Sequence, residues 1–309
     1  MVRRGLALVA TVVMLLGAGA AQADDRIGVV ASFSILGDFV RAVGGARVAV
    51  TTLVGANGDI HVYTPSPAAA ATVASAKLLV INGLGLEGWL PRLVQASGGK
   101  ARVVVASAGV TPRMVGGAAD PHAWQSVANA IIYVGNIRDA LITADPAGAA
   151  VYRANAERYL TRLDALDAEV REAVARIPPE RRRIVATHDA FHYFSDAYGI
   201  AFIAPQGLST DSEPSARDIA ATITQIRTAK IPAVFLENMN DPRLIRRIAA
   251  ETGAAVGGKL YSDSLTGEKG DAPTYIDMVR HNIKTLTSAL TDHGGGHPAA
   301  GALPSAPEL

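Results

Sequence analysis

From residue 147 to residue 177 the chain holds one unbroken helical period. Leu160, Leu163, Leu166, Val170, Val174 and Ile177 recur at three- and four-residue steps, and Pro178-Pro179 stops the run. At ~1.5 Å per residue such a helix is roughly 45 Å long, enough to reach across two domains. Either side of it, short apolar runs alternate with helical segments. Strand candidates on the N-terminal side are 27–32, 48–53, 78–81 and 103–106, with helices at 35–43, 68–74 and 86–96. On the C-terminal side the strands are 184–187, 201–204, 233–237 and 259–262, with helices at 191–197, 215–228, 242–252 and 274–290. Such alternation implies parallel sheets flanked by helices. The expected architecture is therefore α/β with two lobes. Each lobe carries a mostly parallel four-stranded sheet, and one long rigid helix bridges them and restricts hinge motion. The competing reading of that helix is an ordinary surface helix that falls mid-chain.

The ends follow different rules. Arg3-Arg4, an apolar run from Leu6 to Leu16 and the small-residue site Ala21-Gln22-Ala23 form a secretory signal peptide, residues 1–23. The run is too short to span a membrane. Subtracting Arg3 and Arg4 from the 29 basic residues leaves 27 against 28 acidic ones, so neither nucleic acid nor an anionic membrane surface is an expected partner. The chain contains no cysteine. That removes disulfides, thiolate ligands and a lipidated N-terminal cysteine, and the expected product is a soluble, monomeric periplasmic protein. The divisions are an N-terminal lobe 24–143, a linking helix 144–178, a C-terminal lobe 179–291 and a disordered Gly/Pro/Ala-rich tail 292–309 carrying His293 and His297. Ser215-Ala216-Arg217-Asp218 reads as a capping box that starts a helix.

Four potential metal ligands fall where strands end. His61 lies in the Gly/Pro-rich loop after the second strand, and His122 lies in Asp120-Pro121-His122-Ala123-Trp124. His188 lies in Thr187-His188-Asp189-Ala190-Phe191 between a strand and a helix, and Asp263 follows Leu260-Tyr261. The carboxyl edge of an open α/β sheet is where ligands bind, and a neutral imidazole there is a candidate metal ligand. Each histidine alone reads more readily as a hydrogen-bonded core group. Two from each half, at matched positions, point to convergence in one cleft.

These segments resemble the metal-binding substrate-binding proteins of ABC importers for zinc and manganese, the ZnuA/TroA-like family. Gly58-Asp59-Ile60-His61-Val62-Tyr63, Asp120-Pro121-His122-Ala123-Trp124, His188-Asp189-Ala190-Phe191 and Tyr261-Ser262-Asp263-Ser264 resemble its four ligand motifs. Asn82-Gly83-Leu84-Gly85-Leu86-Glu87-Gly88-Trp89-Leu90 resembles its signature after the third strand. The resemblance covers nearly the whole mature chain. It implies His61, His122, His188 and Asp263 as ligands, two lobes bridged by one helix, an inner-membrane permease as partner, and no enzymatic activity. Ile60 departs from the family's usual proline, and the His- and acid-rich loop of many zinc members is replaced by the short, apolar 113–119. The narrower AztC type, some of whose members receive zinc from a periplasmic metallochaperone, is also similar.

Three imidazoles and one carboxylate suit four-coordinate Zn²⁺ at ~2.0–2.2 Å per bond. Manganese prefers more oxygen, and manganese members of the family commonly carry a glutamate where His188 stands. The expected function is periplasmic zinc capture and delivery to the permease. A manganese-specific protein of the same family is the alternative, and a mononuclear zinc hydrolase is the reading from another class, which Asp263 as a fourth ligand would close off. Asp59, Asp120, Asp189 and Glu237 are candidates to orient the imidazoles. His192 reads as peripheral, His281 as structural, and Tyr63, Trp89 and Trp124 as packing residues. Gly83-Leu84-Gly85-Leu86-Glu87-Gly88 spells Gly-x-Gly-x-x-Gly, a weak signal alone, and in the family that segment is structural.

Overall fold

The computed structural model describes residues 26–291; residues 1–25, which include the expected signal peptide, and the expected tail 292–309 lie outside them. The first sheet is built from β1 (Ile27–Phe33), α1 (Ser34–Gly44), β2 (Val48–Val54), α2 (Pro67–Ser75), β3 (Leu78–Ile81), α3 (Leu90–Ala96) and β4 (Arg102–Val105). Its strands run in the order β2-β1-β3-β4, all parallel. β3 reads Leu-Leu-Val-Ile and is buried at every position, as a strand covered on both faces must be.

A two-residue-per-strand hairpin, β5 (Met114–Val115) and β6 (Ala118–Ala119), turns through Gly116 and Gly117, both at positive φ. It occupies the stretch that reads in sequence as a short apolar loop. α4 (Val127–Ala144) and α5 (Ala149–Ala175) follow. α5 has 27 residues, about 40 Å of helix at ~1.5 Å per residue. It packs on α1 and α4 of the first half and on the C-terminal helix.

The second sheet comprises β7 (Arg183–Val185), α6 (His192–Tyr198), β8 (Ala201–Ile203), α7 (Ala216–Ala229), β9 (Ala233–Glu237), α8 (Arg243–Thr252), β10 (Ala255–Leu260) and α9 (Tyr275–Thr291). Its order is β10-β9-β7-β8, again all parallel. The Ser215–Asp218 capping box is present and starts α7.

Two boundaries differ from the sequence reading for physical reasons. β10 begins at Ala255, not Lys259, because Gly257-Gly258 is a bulge rather than a turn. A Cβ on Gly257 would stand 2.5 Å from the Phe235 ring, so glycine lets β10 cross that ring. α3 starts at Leu90, not Leu86. Gly83, Leu84 and Gly85 all take positive φ (84°, 55° and 87°), and residues 82–89 form a loop instead. A leucine there is uncommon and costs energy.

One continuous core takes in β1, α1, β3, α4, α5, α6, α9 and one face of the second sheet through Ile184, Ala233, Phe235 and Leu260. A smaller core lies on that sheet's other face, beneath α7 and α8. Ile60, at the family's proline position, is fully buried in the large core. Both sheets direct their carboxyl ends toward the same seam, where the four candidate ligands sit.

Candidate metal centre

The structure brings His61, His122, His188 and Asp263 together, with one donor atom from each within 4.8 Å of the others. The Oδ2 of Asp263 lies 3.0 Å from Nε2 of His188, 3.2 Å from Nε2 of His61 and 3.8 Å from Nε2 of His122. The Nε2 atoms of His61 and His122 are 3.3 Å apart. A tetrahedron with bonds of ~2.0–2.1 Å has edges of about 3.3–3.4 Å, and the separations among His61, His122 and Asp263 run from 3.2 to 3.8 Å. Nε2 of His188 and Oδ1 of Asp263 are buried without a hydrogen bond. Buried polar atoms without partners are costly, and a cation at the centre of this cluster would satisfy both.

Loop chemistry delivers each ligand. Asp59 and Asp120 each stand two residues before a ligand histidine, and Oδ1 of each accepts that histidine's backbone N–H at 2.9 Å. These are turns in which an aspartate side chain bonds the backbone two residues on. Asn57, at φ 55°, and Gly58 set up the first of them. The end of β7 continues past Val185 into a parallel bridge between His188 and Gln206. Asp263 is carried between Ser262, whose carbonyl accepts from Trp124 Nε1 and Gln125 Nε2, and Ser264, which bonds the Gly55 carbonyl.

The candidates for orienting the rings divide. Nδ1 of His122 lies 2.8 Å from Asp120 Oδ1, and Nδ1 of His188 lies 2.6 Å from Glu237 Oε2. A proton on each Nδ1 is thereby fixed, and each Nε2 lone pair is left for a metal. Glu237 also accepts from the backbone of Thr187 and His188 and from Ser262 Oγ. Asp59 does not reach the His61 ring; its Oδ2 accepts from Thr210 at 2.6 Å. Asp189 faces His192 rather than a ligand. His192 is not peripheral, since its Nδ1 lies 3.0 Å from Asp120 Oδ2. His281 bonds the Lys259 carbonyl, and Trp124 is fully buried.

Electrostatics follow from burial and contact. Burial alone would depress the His188 pKa, but Glu237 and Asp263 outweigh it and hold that ring well above the usual histidine value. Burial pushes Asp263 up, and His188 and His122 more than reverse it, so this carboxyl lies well below the usual range. Asp120 likewise falls to about 2, because hydrogen bonds from His122 and His192 overcome its burial. The cluster is thus an anionic oxygen set among imidazoles, fit to hold a divalent cation.

The glycine-rich loop is not a phosphate cradle. The carboxylate of Glu87 fills it, accepting from the backbone N–H of Asn82 (2.7 Å) and Gly83 (3.1 Å) and from Ser32 Oγ (2.8 Å). Asn82 in turn donates to the carbonyl of Pro121, beside His122. The loop therefore seats a ligand segment. His61 also borders a groove of about 690 Å³ that is lined by Tyr63, Leu84, Trp89, Leu208 and Asp211 and opens to solvent.

Comparison with known proteins agrees with this geometry. Residues 29–289 match the family ZnuA, zinc-uptake complex component A, periplasmic. The manganese-binding lipoprotein MntA of Halalkalibacterium halodurans is 35% identical over 274 residues, covering 88% of this chain and 91% of that protein. The iron-binding protein YfeA of Yersinia pestis is 36% identical over 267 residues, covering 85% of this chain and 86% of the relative. The solved structure of the periplasmic zinc-binding protein TroA from Treponema pallidum superposes with a TM-score of 0.83 at 31% identity, covering 86% of this chain and 100% of the other.

Proposed function

Because the chain belongs to the family of zinc-uptake complex component A, the substrate-binding proteins of metal ABC importers, we propose that it captures Zn²⁺ in the periplasm and delivers it to an inner-membrane permease. The family is not enzymatic, so the hydrolase alternative falls away. In this reading His61, His122 and His188 bind through Nε2 and Asp263 through a carboxylate oxygen. The metal is cargo, taken up and given away. The observation that carries the choice of zinc is the donor set. Three nitrogens and one oxygen converging within 4.8 Å of one another, two of the rings backed by carboxylates, suit zinc. Manganese favours six-coordinate oxygen sites.

The names of MntA and YfeA favour a second reading, in which manganese or iron is the cargo. Raw affinity does not decide physiology, so the test compares metals across variants. Competitive titration should show wild type preferring Zn²⁺ to Mn²⁺. His122→Ala should lose most zinc affinity. Asp263→Ala should keep weakened binding, since water can supply an oxygen. His188→Glu should move preference toward Mn²⁺ by adding a carboxylate. A wild type that prefers manganese while His122→Ala abolishes binding would leave the importer and change its cargo.

Among the described residues no helix is long and apolar enough to cross a membrane. MntA is named a lipoprotein, whereas these 309 residues contain no cysteine on which a thioether-linked lipid could form. Our reading is a periplasmic, soluble monomer, with a zinc metallochaperone as a further candidate partner.

A further inference from the structure

Two buried carboxylates orient ligand histidines, and each is held by a second side chain from elsewhere in the chain. On Glu237 the second anchor is Ser262 Oγ, 2.7 Å from Oε2. On Asp120 it is His192. Oδ1 of Asp120 accepts both the backbone N–H and the ring Nδ1 of His122, while Oδ2 lies 3.0 Å from His192 Nδ1. Asp120 is fully buried, and at 3.0 Å its Oδ2 accepts from His192 Nδ1. The other nitrogen of His192, Nε2, lies 3.3 Å from Asp189 Oδ1 nearer the surface; the two side chains are 17% and 26% exposed.

We infer that His192 is a positioning residue for the metal site, clamping the second oxygen of Asp120 and so fixing the carboxylate that orients the His122 imidazole. The inference rests on the ligand reading above. A carboxylate turns about a broad, soft terminal torsion. Bonded through one oxygen, Asp120 could swing and carry the His122 ring with it; bonded through both, its plane is set. The clamp also crosses the seam, since His192 opens α6 in the second half while Asp120 precedes His122 in the first. Without it, Asp120 Oδ2 would be a buried anionic oxygen with one fewer donor.

Two substitutions separate the clamp from the bulk of the side chain. In H192N the amide nitrogen stands near the position of Nδ1 and can still donate to Asp120. In H192Q the amide reaches instead toward the position of Nε2 and Asp189. Zinc release to an excess of competing chelator and the visible spectrum of the Co²⁺-loaded protein are the readouts. The spectrum reports ligand geometry, which a merely structural role would leave unchanged. Removing a partner that bonds a ligand directly costs about 10–100-fold in affinity, and His192 acts one bond further out. H192Q should therefore lose roughly three- to tenfold in zinc affinity and show an altered cobalt spectrum, with H192N within about twofold of wild type. H192Q matching wild type, or H192Q and H192N behaving alike, would overturn the inference. Should H192Q fail to fold, H192A against H192N decides by the same readouts. His122→Ala serves as the control. If it keeps tight zinc, the ligand assignment fails and this inference with it; if it loses zinc beside an unchanged H192Q, only the inference fails.

Discussion

At the scale of single residues, the metal site is a competition between a proton and a cation for His188. Glu237 and Asp263 flank the ring and hold its pKa well above the usual value against its burial. In the metal-free protein these carboxylates favour a second proton, on His188 Nε2, and zinc must compete with it. Below the raised folded value zinc binding should release a proton from this ring, and affinity should rise with pH until the ring is neutral. Calorimetry at pH 7 in buffers of different ionisation enthalpy measures this directly, and binding with no net proton release would contradict it. The sign for folding is opposite. With the folded pKa raised, His188 stabilises the metal-free protein fully below about pH 6.5 and loses that contribution as pH rises through the folded value. Asp263 runs the other way, with stability present above the usual carboxylate range and lost only at strongly acidic pH. The sequence makes part of this site legible. The Asp-x-His spacing at Asp59/His61 and Asp120/His122 is local, so the turn can be read from the residues. It does not say which ring takes a carboxylate, because Thr210 draws away the second oxygen of Asp59 from 151 residues on. Glu237 reaches His188 across 49 residues, and only the parallel pairing of β7 with β9 brings them together.

At the scale of elements, the loop 82–90 shows what a glycine pattern can serve besides a phosphate. Its glycines suggest a phosphate site, but they exist so that backbone N–H groups can converge on the chain's own Glu87. The same convergence forces Leu84 to φ 55°, and Glu87 supplies the physical reason for the structural role that the family resemblance implies for this segment. Glu87→Gln sets an NH₂ group against N–H donors that now face a carboxylate oxygen. It should destabilise the fold by about 1–3 kcal/mol, the usual cost of an unmade buried hydrogen bond. Since Asn82 bonds the Pro121 carbonyl, zinc affinity should also fall, though less than in His122→Ala. Urea unfolding and zinc titration of the same variant check both, and an unchanged midpoint would show that the loop holds without Glu87. Most strands and helices were legible to within about two residues, while the starts of β10 and α3 lay four residues away, displaced by the Gly257-Gly258 bulge and the Gly83–Gly85 loop. The hairpin at 114–119 was not, because two-residue strands carry no period.

At the scale of the whole molecule, the question is whether the two halves are separate folding units joined by a helix. The continuous core argues against separation. α5 packs on α1, α4 and α9, and Tyr275 at the start of α9 bonds Asp38 of α1 and the Trp124 carbonyl. Backbone bonds also cross the seam, as from Asn57 N–H to the Leu265 carbonyl and from Leu265 N–H to Ser34 Oγ. The metal-free protein should therefore melt in a single transition by calorimetry, with equal van 't Hoff and calorimetric enthalpies. Zinc binds ligands from both halves, so it should raise that one transition rather than split it. At ~1,000 times Kd the linkage is about 4 kcal/mol. At about 2–4 °C per kcal/mol for a chain approaching this size, the shift is on the order of 10 °C. Two transitions in the metal-free protein, with zinc moving only one, would mean that the halves fold independently and that the metal, not the shared core, joins them. If any region opens first, it should be the layer of α7 and α8 over their smaller core, since few buried apolar contacts lower the cost of local opening. Hydrogen exchange should then find α7 and α8, residues 216–229 and 243–252, less protected than α4 and α5 in the same sample.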